Sequence, residues 1–218
     1  MRKNFGPNPL CYPQPVFILA AWGPDGVPNC MNAAWGGISD DREVSVCISA
    51  GHKTTANILH SKAFTISMAT ADQVVACDYV GITSGNRVPD KFARAGFHAT
   101  ASEFVNAPLL DELPMAMECE LISYDPDTCR LVGRIVNVSA DESVLGENGK
   151  VDPKKLRPIT FDPMNNTYVT LGDTLAQSFK VGDKLKRCKK TPPAYGRGFQ
   201  RIEKKFVGAP IGRPQILS

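Results

Sequence analysis

Short extended runs set close together, with turn residues between them and few helices, constrain this chain more than any other feature. The runs 16–22, 27–35, 43–49, 63–69, 98–104, 115–124 and 130–138 read as strands, and 159–161 and 168–171 are shorter extended pieces. Several alternate, as a strand with one buried face must. Val44, Val46 and Ile48 share one face, and Phe64, Ile66 and Met68 share another. Gly23, Pro24, Asp25 and Gly26 supply a turn between the first two runs, which predicts a hairpin. Helical patterns are short: 52–61, 72–79 after Asp72, 90–95 after Pro89, and 173–179 capped by Asp173 and ended by Gly182. Residues 80–88 read as a Gly/Ser/Asn loop and 150–156 as a loop or a weak helix. Strand and helix do not alternate, so a parallel α/β sheet is excluded. The pattern predicts a mainly β fold, an antiparallel barrel with helical insertions. A G-x-G-x-x-G turn is absent, so any nicotinamide cofactor is held outside a Rossmann fold.

Residues 26–58 carry the chemistry. A small-residue strand ends in Trp35, Gly36 and Gly37; an apolar strand then runs into Ser49, Ala50 and Gly51; and a helix opens with His52, Lys53, Thr54 and Thr55. The first turn of a helix presents free N–H groups and the positive end of the dipole, so it suits an anion. Two hydroxyls and one ammonium add donors. The pattern points to a phosphate-bearing cofactor at residues 51–55, its ring toward residues 29–35. The plainer alternative is a capped helix start that binds nothing. A P-loop is excluded: Lys53 follows His52 rather than glycine, and Val46 stands where the first glycine belongs.

Composition narrows the remaining classes. Hydrophobic residues make up 43% and charged residues 22%, which fits a globular chain. The apolar run 16–22 is far too short to span a bilayer. The start, Met1, Arg2, Lys3 and then Asn4, Gly6 and two prolines, is unlike a signal peptide; a cytoplasmic protein is expected. Seven cysteines, none in C-x-x-C, argue against disulfides and zinc and for free thiols acting as small core residues. No metal site is expected. From Lys184 onward ten Lys and Arg face Glu203 alone, so the tail carries about +9 and the body about −6. This divides the chain into a domain over 1–183 and a basic, Pro- and Gly-containing extension over 184–218. Such an arm can bind nucleic acid, but Pro192, Pro193, Tyr195, Gly196, Phe199 and Phe206 are interleaved with the charges. That favours an extension lying on the acidic body or on a second subunit.

Taken in order, these residues resemble the flavin reductase-like, FMN-binding split-barrel family, in its flavoredoxin branch. The likeness rests on Asp25, Gly26, Pro28 and Asn29 in the hairpin, then Asn32, Ala33, Ala34, Trp35 and Gly36. It continues through Ser49, Lys53, Thr54, Thr55, Asn57 and Ile58, the run 64–68, Lys91 with Phe92, the run 117–120, Gly133 with Arg134, and the run 158–163. It covers roughly residues 12–182. The resemblance implies a six-stranded split barrel, noncovalent FMN, and a homodimer with each flavin near the subunit interface. By position it implies that Asn29 and the backbone of Asn32, Ala33, Ala34 and Trp35 line the isoalloxazine, while Ser49, His52, Lys53, Thr54 and Thr55 hold the phosphate. Lys91 would add positive charge near the flavin from the partner subunit, and Arg134 and Phe161 would close the pocket. Each of the last three has a structural alternative: Lys91 a solvated helix residue, Arg134 half of a cross-strand ion pair, Phe161 plain packing. Trp35 can equally be a core aromatic.

The expected function is an FMN-dependent oxidoreductase that passes electrons from NAD(P)H through FMN to free flavin or another acceptor. No catalytic side chain is expected, because hydride transfer by a flavin needs no proton-transfer dyad. A flavoredoxin-type electron carrier that docks a redox protein, without NAD(P)H activity, is the alternative; nucleic-acid binding by the tail is a distant third. No membrane partner is expected.

Overall fold

The computed structural model describes residues 1–187. Contacts divide the chain into a unit over Met1–Asp173 and a second beginning at Thr174. The first unit opens with β1 (Gln14–Pro15) and the hairpin β2 (Phe17–Trp22) and β3 (Pro28–Ala33). Its turn is closed by Gly23 N–H donating to Val27 O at 2.9 Å and by Asp25 Oδ1 accepting from Val27 N–H, with Gly26 at φ 75°. Next come β4 (Gly36–Asp40), β5 (Glu43–Cys47), α1 (Lys53–Ser61), β6 (Ala63–Met68), α2 (Val74–Ile82) and α3 (Lys91–Arg94). A small hairpin, β7 (Ala99–Ala101) and β8 (Pro108–Leu110), precedes the long pair β9 (Met115–Asp125) and β10 (Arg130–Ala140). The elements α4 (Pro153–Leu156), β11 (Ile159–Asp162) and β12 (Thr167–Thr170) complete the unit. In the second unit, α5 (Asp183–Arg187) is the one helix among the described residues.

Seven strands form one antiparallel sheet in the order β3-β2-β6-β9-β10-β5-β4. The register of β9 against β10 shifts after Val132 and after Ile135; such bulges add twist and let a sheet curl. The inner face is filled by Phe17, Leu19, Met31, Val44, Val46, Ile48, Phe64, Ile66 and Leu131. Gly133 matters here, because a Cβ at that position would overlap the ring of Phe64. The other face of β2 and β3, through Ile18, Ala20 and Cys30, packs on Val80, Phe92 and Phe97 of the helical insertion. Residues 17–21 are therefore buried on both faces, which explains a continuous apolar run instead of alternation. Each large core side chain contributes roughly 1.5–3 kcal/mol by burial.

The mainly β fold with helical insertions is as expected, and Val44, Val46, Ile48, Phe64 and Ile66 are all buried. Other expectations fail for local reasons. The main sheet has seven strands where the resemblance implies six; in β4 two glycines, a serine and an aspartate hide the extended backbone from a reading of side-chain pattern. Strand 27–35 ends at Ala33, and Trp35 O instead accepts Cys47 N–H at 2.7 Å as the chain crosses to the edge. The loop over 80–88 is partly helix, since α2 runs through Ile82. The helix over 173–179 does not form: Asp173 pairs with Lys154 at 2.8 Å instead of capping it, and the helix of that region lies later, at α5. Cys47, expected in the core, is exposed because it points away from Val46 and Ile48, and Cys129 is half-buried; Cys30, Cys77 and Cys119 are buried. Burial pushes each of those three thiols up to about 12. No disulfide joins the six described cysteines. Among the described residues no helix is long and apolar enough to cross a membrane. The extension expected at 184–218 lies outside the described residues beyond Arg187.

Candidate functional site

The start of β3 and the start of α1 meet. His52 occupies the N-cap with an extended backbone and makes no side-chain capping bond. The N–H groups of Lys53, Thr54 and Thr55 have no backbone acceptor among the described residues, so three donors and the positive helix end face outward. Asn29, buried on β3, donates from Nδ2 to Thr54 Oγ1 at 2.6 Å. Thr54 is only 1% exposed. Because its oxygen is taken as an acceptor, its hydroxyl hydrogen is left to donate. Thr55 is different: Oγ1 donates to Ser49 O at 2.8 Å, which pins the preceding turn.

The opposite wall comes from the C-terminal end of α2 and the loop after it. Together they enclose a cavity of about 210 Å³ lined by Asn29, Met31, His52, Lys53, Thr54, residues 80–85, Arg87 and Lys91. Lys91 is 2% exposed; its Nζ donates to Val80 O at 3.0 Å and Thr83 O at 2.9 Å. Those carbonyls lie at the negative end of α2, where a cation is favourable. Burial pulls the Lys91 ammonium below its usual range, partly offset by Cys30. Lys53 and Arg87 add further positive charge, and no carboxylate lines the cavity. A cavity with backbone donors, a hydroxyl donor and cations, and without an acid, fits a phosphate monoester.

The structure brings together five of the residues singled out from sequence: Asn29, His52, Lys53, Thr54 and Lys91. Thr55 abuts them but spends its hydroxyl on Ser49 O; Ser49 is exposed, and its Oγ accepts Gly51 N–H at 3.3 Å. The others lie apart from the cavity. Asn32 turns to α2 and donates to Cys77 O at 3.2 Å. Ala33 is buried in the sheet core, and Ala34 O accepts from Gln14 Nε2. Trp35, 46% exposed, lines a separate surface depression with Gly36, Gly37, Cys47 and Arg130. Arg134 is exposed on β10, in register with Glu43 and Glu120. Phe161 packs against Tyr168 with ring centroids 6.0 Å apart. Lys91 lines the cavity of its own chain. Arg87, Gly81 and Gly85 line the cavity as well. Sequence reasoning does not single out Arg87; its signal is a cation two residues after the glycine of the S-G-N-R run 84–87.

The curled seven-stranded antiparallel sheet with helical insertions is a split β-barrel fold. The family model described as the flavin reductase like domain matches residues 10–161. The flavoredoxin of Desulfovibrio vulgaris (Miyazaki F) is 37% identical and superposes with a TM-score of 0.79 over 84% of this chain and 100% of that one. The flavoredoxin from Methanosarcina acetivorans is 25% identical, with a TM-score of 0.76 over 85% and 99% of the two chains. An FMN-binding protein from Thermus thermophilus, at 24% identity and a TM-score of 0.66 over 81% and 100%, shares the fold. Among curated proteins none matches the chain. The chain belongs to the flavin reductase-like family, in its flavoredoxin branch.

Proposed function

We propose that the protein binds FMN noncovalently, with the phosphate at the start of α1, and works as an oxidoreductase that moves electrons from NAD(P)H to free flavin or another acceptor. The observation that carries this reading is the acid-free cavity where Thr54, held by Asn29, joins the uncapped N–H groups of Lys53, Thr54 and Thr55. The bound flavin would supply the hydride and electron chemistry. The chain's own part is to bind and orient. Thr54 and the helix start neutralise and aim the phosphate, Lys53 and Arg87 balance its charge, and Lys91 holds the wall at Val80 and Thr83.

A homodimer belongs to the same proposal. Helix α2 has Asp78 as its one charged residue and leaves Val75 81% and Ile82 75% exposed; large exposed apolar groups on one element are usually covered. Ile82 also lines the cavity, so a second copy seated there would flank the cofactor. Light scattering should then give about twice the 23.6 kDa chain mass. A cytoplasmic location is part of this reading.

The test is spectroscopic. The purified protein should carry, or take up, one FMN per chain and release it on denaturation. Under anaerobic conditions NADH or NADPH should bleach the flavin bands within seconds, and added flavin should support turnover. A protein that takes up no FMN overturns the whole reading. Bleaching by dithionite but by neither nucleotide overturns the reductase and leaves an electron carrier.

A further inference from the structure

The loop over residues 83–88 is built unlike an ordinary connection. At its base the Lys91 ammonium, buried, holds Val80 O and Thr83 O. Within it, Ser84 O accepts the N–H groups of Arg87 at 3.0 Å and Val88 at 2.9 Å, which makes one tight turn. At its tip Asn86 Nδ2 donates to Gly51 O at 2.9 Å, an exposed bond to the segment that leads into α1. Beside it Gly85 lies so close to Asn29 and Lys53 that a Cβ would overlap Asn29 Oδ1. The tip therefore touches both structures that form the anion cavity, and it does so through one exposed side-chain bond and one glycine backbone.

We infer that this loop is a gate on the anion cavity, with Asn86 as its catch. The base is fixed by a buried cation and cannot move cheaply; the tip can, because an exposed hydrogen bond stabilises it only weakly and Gly85 withdraws no side chain from a packed site. Asn86 is thus a positioning residue. It touches Gly51 rather than the ligand, and it sets how often the cavity opens. The inference rests on FMN being the occupant, but the motion itself is a property of the chain.

Two readouts on the full-length protein separate these claims. Loss of a net hydrogen bond in Asn86→Ala should raise the open population about five-fold. By stopped-flow fluorescence, FMN association and release should both accelerate by about that factor, leaving Kd within about two-fold, because a gate speeds both directions. Without ligand, trypsin should cut after Arg87 about five-fold faster, since cleavage of a transiently opened segment tracks its open population, at unchanged global stability. Faster release alone, with unchanged association and cleavage, would make Asn86 a ligand contact and overturn the gate; so would unchanged rates throughout. Faster cleavage in a protein that binds no FMN would support the opening of the loop and overturn the FMN reading.

Discussion

Replacing Thr54 with valine tests the site at its centre. Thr54→Val keeps the branched shape in a position that is 1% exposed and removes one oxygen. That oxygen accepts from Asn29 Nδ2 at 2.6 Å, so two effects follow. The phosphate loses a charge-assisted donor, worth about 1.5–3 kcal/mol, or roughly ten- to a hundred-fold in Kd. Asn29, itself buried, is left with an unpaired amide, which costs about 1–3 kcal/mol of stability. The assay is a pair of titrations, FMN and riboflavin, beside a denaturant melt. Riboflavin lacks the phosphate, so its affinity should stay within about two-fold while FMN falls at least ten-fold. Thr55→Val is the control. Its hydroxyl is committed to Ser49 O, so it should cost about 1 kcal/mol of stability and affect FMN little. Equal losses for FMN and riboflavin in Thr54→Val, or a ten-fold FMN loss in Thr55→Val at unchanged stability, would refute the assignment of the donor.

Three further outcomes follow from the geometry. Gly133→Ala forces a Cβ into the ring of Phe64 and should destabilise by about 1–3 kcal/mol through overpacking, read as a lower denaturant midpoint at constant slope; an unshifted midpoint contradicts the close approach. Lys91→Met leaves the carbonyls of Val80 and Thr83 without their buried donor and should cost about 1–3 kcal/mol and weaken FMN; full stability would show that the ammonium does not hold the wall. His98 is raised above its usual value by its bond to Glu112, at 2.6 Å. A raised folded-state value means the stabilisation is complete below the unfolded value near 6.5 and is lost as pH rises through the folded one. Denaturant midpoints should fall in that window for the natural protein, and Glu112→Gln should flatten that fall.

Much of the fold was legible because hydrophobic periodicity is a local property. Val44, Val46 and Ile48 alternate in sequence and are buried together, and the turn at Gly23–Gly26 follows from its residue types alone. Local propensity misled where a segment is decided by what it packs on. Residues 36–40 carry no strand pattern of their own, yet they become an edge strand because β5 offers a row of donors and acceptors. Residues 173–179 look like a helix with a cap, but a short helix without a packed face gains too little to form, and Asp173 pairs with Lys154.

The sequence by itself determined that residues 52–55 open a helix with two hydroxyls and a cation, the donors that an anion needs. It also determined that strands, not βαβ units, build the chain. Only the tertiary structure decided which groups serve the cavity. Two threonines adjacent in sequence lie about 100° apart around a helix, so Thr54 faces Asn29 while Thr55 faces back to Ser49. Lys91 and Arg87, more than thirty residues from Thr54 along the chain, reach the cavity because α2 packs on β3. Trp35 and Arg134 do not line that cavity and lie elsewhere on the sheet. Spacing along a chain does not reveal which face of a curled sheet a side chain will occupy.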